Sequence, residues 1–168
     1  MIEMELVGVR VELPANQPIV LLKEREGTRY LPIWIGAVEA TAIAFALQGV
    51  DTPRPLTHDL FVDVMQEMGV ELSAVHVTAL RDGTFYAELQ LTQGEKTWSV
   101  SARPSDAIAL ASRMDDVPIF GDESVIDEAG LEIESTDDEG EEGVDAEEEV
   151  RQFRQFLDDI TPEDFKEL

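Results

Sequence analysis

Apolar and polar residues alternate at the start of the chain. Val7, Val9, Val11 and Leu13 share one parity, as one buried face of a sheet requires. Ile2, Met4 and Leu6 fall on the other, which predicts a bulge or a change of packed face near Leu6. The prolines of "PANQP" turn the chain into a second strand, "IVLLKE", and "REGT" turns it into a third, "RYLPIWI", with Leu31, Ile33 and Ile35 in phase. Pro32 has no N–H for a ladder, so this strand is predicted at an edge or a bulge.

The period then lengthens. Gly36 opens "AVEATAIAFALQG", a helix that Gly49 closes. It is apolar on nearly every side, which predicts burial all round, in the core or at a subunit contact. Thr57 reads as the N-cap of "HDLFVDVMQEM", ended by Gly69, with Leu60, Phe61, Val64 and Met68 as its apolar stripe. A three-strand meander follows. "VELSAVHVTAL" meets "TFYAELQLT" across Arg81-Asp82-Gly83, a strong hairpin signal. Phe85, Ala87, Leu89 and Leu91 face one way, and Trp98, Val100 and Ala102 of "KTWSVSA" share a face. "RPSDAIALASR" supplies a third helix, and "VPIF" a short final strand.

This pattern divides the chain into a domain at 1–121, an acidic linker at 122–146 and an amphipathic helix at 147–168. Of the 168 residues, 43% are hydrophobic, enough for a real core. The net charge of −25 is unevenly placed: residues 1–121 hold 9 Lys+Arg and 17 Asp+Glu, residues 122–168 hold 3 and 20. Such an acidic run with few apolar anchors predicts a mobile linker. Beyond it Val150, Phe153, Phe156, Leu157 and Ile160 recur at helical spacing, and a helix this short is expected to dock. No basic stripe marks a phosphate-tracking surface, although Arg10, Arg25, Arg29, Arg54 and Arg103 would form one if the fold gathered them. The absence of cysteine excludes disulfides, thiol catalysis and cysteine-zinc sites. Without a signal-peptide pattern or a long apolar run, a soluble cytoplasmic protein is expected.

Several polar residues stand at helix starts. Glu39 is the only charge in its helix, so it is either paired and sheltered or a wet first-turn acid favoured by the helix dipole. Asp59, beside His58, sits in the first turn of the second helix, where it suits backbone N–H groups or a cation. Pro104 suits a helix start, and Ser105 or Asp106 can cap it. Capping leaves Arg103 unexplained, since a guanidinium beside a helix N-terminus favours an anion such as phosphate. If the fold joins the three helix starts, Glu39, Asp59 and Asp106 form an oxygen-rich site for Mg²⁺ or Mn²⁺. His76, in mid-strand, is expected to be a polar-face residue without a special role.

The blocks "NQPIVLLKEREGTRYLPIWIG..EA", "RPLTHDLF", "FYAEL" and "SARPSDAIALA.R....PIF" run in order from about Val7 to Phe120, and together they resemble the bifunctional nuclease family. The tail "VRQFRQFLDDITPEDF" resembles the closing segment of actinobacterial members. The resemblance implies an α+β fold, a mixed and largely antiparallel sheet packed against helices, that self-associates as a homodimer or higher homo-oligomer. It also implies DNase and RNase activity, and it maps the family's recurring polar positions onto Glu39, His58, Asp59, Arg103, Ser105 and Asp106. The acid that follows "WIG" in the family is displaced here, since Ala37 stands there and Glu39 remains.

Two functions follow. One is a nuclease in which Glu39, Asp59 and Asp106 hold a divalent cation, Arg103 steadies phosphate and His58 moves a proton, with DNA or RNA as partner. The other is a non-catalytic oligomeric scaffold in which the same residues are caps. The overall acidity opposes the first unless local charge offsets it.

Overall fold

The computed structural model describes residues 1–12 and 14–132. Its strands β1 (Ile2–Glu12), β2 (Gln17–Glu24) and β3 (Arg29–Trp34) form one antiparallel meander, and β4 (Glu71–Arg81), β5 (Thr84–Gln93) and β6 (Lys96–Ala102) form another. The short β7 (Ile119–Gly121) joins the two, antiparallel to β1 and parallel to β4. With β8 (Leu131–Glu132) on the outside of β3, the sheet runs β6-β5-β4-β7-β1-β2-β3-β8. The fold is thus α+β, with a mixed and largely antiparallel sheet.

Local chemistry accounts for these elements. The register of β1 against β2 slips between Leu6 and Gly8, so the expected bulge falls at Val7, which turns outward while Met4 is buried. Asp82 and Gly83 both adopt positive φ, as the two-residue β4–β5 turn requires. Beyond Tyr30, β3 has no partner on its β8 side among the described residues, so Pro32 lies on the edge that its missing N–H demands.

Helices α1 (Ala37–Leu47), α2 (Thr57–Glu67) and α3 (Pro104–Ala111) cover the sheet, α1 against β1 and β2, α3 against β4 and β5, and α2 flanking α3. Gly49 and Gly69 end α1 and α2 in the left-handed region. The N–H groups of Val50 and Val70 then reach back to the carbonyls of Phe45 and Met65. Helix α3 carries the central core, with Ala107, Ile108, Ala109 and Leu110 all buried.

Four sequence expectations change. Leu56 rather than Thr57 occupies the N-cap of α2. The stripe Leu60, Phe61, Val64 and Met68 points to solvent, and Val62 and Met65 are the buried residues. The core of this one chain does not enclose helix α1, one of the two environments expected for it: Ala40, Ile43 and Ala44 are buried, while Val38 and Leu47 are exposed. The domain also does not close at Gly121. The start of the segment read as linker 122–146 forms α4 (Glu123–Ala129) and β8, with Val125 and Ile126 each 1% exposed. Helix α4 touches both β3 and β4, which three other strands separate in the order, so the sheet curls around it. The rest of the linker and the amphipathic helix at 147–168 lie outside the described residues.

Candidate functional site

The first turns of α1, α2 and α3 converge. Each contributes a polar side chain at its second or third position: Glu39 from α1, His58 from α2 and Asp106 from α3. Arg103, the N-cap residue of α3, spans them. Its Nε and Nη2 donate to the two oxygens of Asp106 at 2.7 and 3.0 Å, and its Nη1 donates to Glu39 Oε1 at 2.9 Å. His58 Nε2 lies 3.1 Å from Asp106 Oδ1. Four of the expected residues therefore meet, Glu39 and Asp106 on the Arg103 guanidinium and His58 on Asp106.

Each placement has a local cause. Pro104 fixes φ at the first position of α3 and sacrifices no hydrogen bond there. Asp106 makes no cap: its carboxylate turns outward to Arg103 and His58, so capping does not explain it. Ser105 is buried beside it. Glu39 folds back so that its carboxylate occupies the space a Cβ on Gly36 would fill. That bend brings it to Arg103 although it stands two positions beyond Ala37, and it is the sheltered, paired acid, its side chain 18% exposed.

Burial pushes the Asp106 carboxyl up, but the hydrogen bonds from Arg103 and His58 outweigh it and hold the group below its ordinary value. The same bond to Asp106 raises Arg103. Arg103 remains permanently cationic and its side chain is 65% exposed.

Asp59 does not join the cluster. Its Oδ1 accepts from Arg113 Nε at 2.6 Å, and its Oδ2 accepts from the Leu56 backbone N–H at 2.8 Å. Burial raises its pKa, and these bonds more than reverse the effect. Arg113, which also donates to the Ala109 carbonyl, is the residue that sequence reasoning passed over. Its signal was a lone cation ending the uncharged run Ala107–Ser112. Asp59 and Arg113 border a cleft of about 290 Å³ with Leu56 and Phe45. A larger groove of about 610 Å³, lined in part by Glu3, Arg25 and Asp116, shares no residue with the cluster.

The expected trio of metal ligands is therefore not assembled. Glu39 and Asp106 both face Arg103, Asp59 faces Arg113, and among the described residues no group of three or more His, Cys, Asp or Glu is placed to hold a metal ion. The donors present do not fit Mg²⁺ or Mn²⁺ as arranged. Two of the other arginines are already paired: Arg25 with Glu3, and Arg29 with Glu24 and Asp127. His76 meets Phe120 edge to face, with ring centres 5.5 Å apart. Among the described residues, no helix is long and apolar enough to cross a membrane.

Comparison with known proteins places the chain in a family. An uncharacterized protein of Mycobacterium tuberculosis strain H37Rv is 50% identical over 164 residues, 98% of each chain. Bifunctional nuclease 2 of Arabidopsis thaliana is 36% identical over 103 residues, which is 59% of this chain and 31% of that protein. Bifunctional nuclease 1 of Oryza sativa subsp. japonica is 27% identical over 129 residues, 74% and 39% respectively. The chain thus matches only 31% to 39% of the length of these relatives that carry the nuclease name. The bifunctional nuclease domain model matches residues 20–134, which takes in every residue of the cluster as well as α4 and β8, and the chain belongs to that domain family.

Proposed function

We propose that this chain hydrolyses phosphodiester bonds in DNA and RNA with low sequence preference, at the cluster of Glu39, His58, Arg103 and Asp106. The observation that carries the reading is the exposed Arg103 guanidinium set beside a His–Asp pair at three helix N-termini. Three of its five N–H donors serve Asp106 and Glu39, which leaves two for a phosphate oxygen. Two carboxylates against one guanidinium leave a net charge of −1 in the cluster when His58 is neutral. Three converging helix N-termini, each equivalent to roughly half a positive charge, offset it.

Asp106 accepts from His58 Nε2, which assigns the proton of a neutral imidazole to that nitrogen and leaves Nδ1 as the base. In the reaction Nδ1 takes a proton from water as its oxygen attacks phosphorus. The bond from phosphorus to the departing sugar oxygen breaks, and the imidazolium returns the proton to that oxygen. Asp106 steadies the imidazolium, and Arg103 steadies the charge that builds on the phosphoryl oxygens. No step runs through a metal, because Asp59 is turned away.

A second reading, a non-catalytic oligomeric scaffold, draws on the fact that each carboxylate of the cluster already has a partner. The test is cleavage of single- and double-stranded DNA and of RNA by the full chain, in Mg²⁺ or Mn²⁺ and in EDTA, against His58→Ala. Loss of about 100-fold or more in the variant at an unchanged melting temperature is expected. Wild-type cleavage no faster than the variant's would favour the scaffold.

A further inference from the structure

The cleft beside Asp59 takes no part in the proposed reaction, and its chemistry differs from that of the cluster. Arg113 lines it with a side chain only 9% exposed. Its Nε donates to Asp59 Oδ1 and its Nη1 to the Ala109 carbonyl, and the two bonds hold the guanidinium in one orientation. They use two of five N–H donors, and among the described residues nothing accepts from the other three. Among those residues no fully buried side-chain nitrogen lacks a partner, so the idle Nη2 is not sealed in the core. It is reached from the cleft that Arg113 lines.

Charge decides what such a cleft accepts. Asp51 and Asp59 stand against one arginine, two negative charges to one positive. The C-terminal ends of α1 and α3 border it through Gly49 and Ser112, and only α2 brings an N-terminus, at Leu56. Helix C-termini are negative, so a bare phosphate is disfavoured here, in contrast to Arg103. What fits is a neutral group with acceptors for a guanidinium and donors for a carboxylate. Phe45 and Leu56 add apolar surface, and a volume of about 290 Å³ suits one ring system rather than a duplex.

We propose that this cleft holds an unpaired guanine base of the strand whose phosphate meets Arg103. Guanine carries two adjacent acceptors, O6 and N7, that match the fork of a guanidinium, and its ring and amino N–H groups suit a carboxylate such as Asp51. Adenine sets a donor beside N7, and uracil or thymine sets an N–H between its carbonyls, so neither matches the fork. Cytosine has both features on a smaller ring, with less face for Phe45 to cover. His58 and Asp59 are neighbours on α2, and Arg113 follows Asp106 by seven positions, about 10 Å at a helical rise of about 1.5 Å each. A stacked strand covers that distance in about three nucleotides. One base read so near the cut biases where the strand is cut without requiring a sequence. The proposal rests on the nuclease reading for its strand, not for its base.

Equilibrium binding to the full chain tests this, with GMP, AMP, CMP and UMP as probes that share one phosphate. GMP is expected to bind about tenfold or more tighter than AMP and UMP, and tighter than CMP. Arg113→Lys keeps a cation for Asp59 but loses the fork, and should remove that preference while melting within a few degrees of wild type. Should it unfold, Asp51→Ala, at an exposed loop position, is expected to weaken GMP several-fold and leave AMP as it was. A cleavage-resistant phosphorothioate oligothymidine carrying one guanine should also bind more tightly than oligothymidine alone. Equal binding of the four nucleotides, a preference that both variants leave intact, or a preference for GMP that the one-guanine strand does not share would overturn the proposal. None of these measurements needs cleavage, so a chain that shows the preference and cuts nothing refutes the nuclease reading and keeps the base site.

Discussion

Two arginines in this protein each sit between two carboxylates, and their surroundings give them different work. Arg29 closes the β2–β3 hairpin onto Glu24 through its side chain and its backbone N–H, and reaches Asp127 on α4. Its side chain is 26% exposed and that of Glu24 only 8%. The Glu24 side chain also fills the space a Cβ on Gly27 would take, so the turn is shaped around it. Arg103 has the same kind of partners in Glu39 and Asp106, but its guanidinium faces solvent and a histidine shares Asp106. Pairing alone therefore does not distinguish a brace from a site. Access, spare donors and a titratable neighbour do.

The comparison breaks most visibly at Asp106. Asparagine keeps the size of the side chain but removes the charge that fixes the His58 tautomer, so Asp106→Asn is expected to slow cleavage by roughly a thousandfold. A purely structural Asp106 predicts unchanged turnover, and a rate measurement on the full chain separates the two. Next in size is Arg29→Ala, which strands a buried Glu24 carboxylate without its partner. A loss of about 3 kcal/mol in a urea titration is expected, where Tyr30→Phe, a neighbouring change that leaves the brace intact, costs far less.

Acid sharpens the contrast further. Glu24 is held below its ordinary value mainly by the hydrogen bond from Arg29, and Asp59 and Asp106 are held low against burial by their arginines. Groups depressed in the folded state contribute stability that is complete above the unfolded carboxyl value, about 4, and is lost as pH falls through the folded values. Protonation also relieves the self-repulsion of a −25 chain, so the informative quantity is a difference. The gap in stability between wild type and Glu24→Gln should be constant at neutral pH and shrink below about pH 4. A gap that persists unchanged into acid would reject the Arg29 linkage. The smallest effect is expected from Gly36→Ala. The new Cβ meets only the movable end of Glu39, so stability should change by less than about 1 kcal/mol while Glu39 leaves Arg103. Urea titration checks the first part, and a weaker phosphate-analogue affinity or an altered cleavage rate reports the second.

Much of this was legible in the sequence where the signal was local. The Asp82-Gly83 turn, the bulge after Leu6 and the edge position of Pro32 follow from backbone chemistry alone. So does the placement of Glu39, His58 and Asp106 in first turns. What sequence could not give was which way those turns face. His58 and Asp59 are adjacent, yet one reaches Asp106 and the other Arg113, because successive helix residues point about 100° apart. The α2 stripe was readable as a stripe, but periodicity cannot say whether the core or an open surface receives it. Helix α4 was hidden because only Val125, Ile126 and Ala129 anchor it within an acidic run.

The central claim is that Arg103 serves a site while Arg29 serves the fold. The most direct test pairs two measurements, thermal melting and affinity for a cleavage-resistant single-stranded phosphorothioate oligonucleotide, on Arg29→Ala and Arg103→Ala. Arg29→Ala should melt lower and bind as wild type does, whereas Arg103→Ala should melt within a few degrees of wild type and lose most of its affinity. An Arg103→Ala protein that melts as low as Arg29→Ala and binds the oligonucleotide as tightly as wild type would contradict the account.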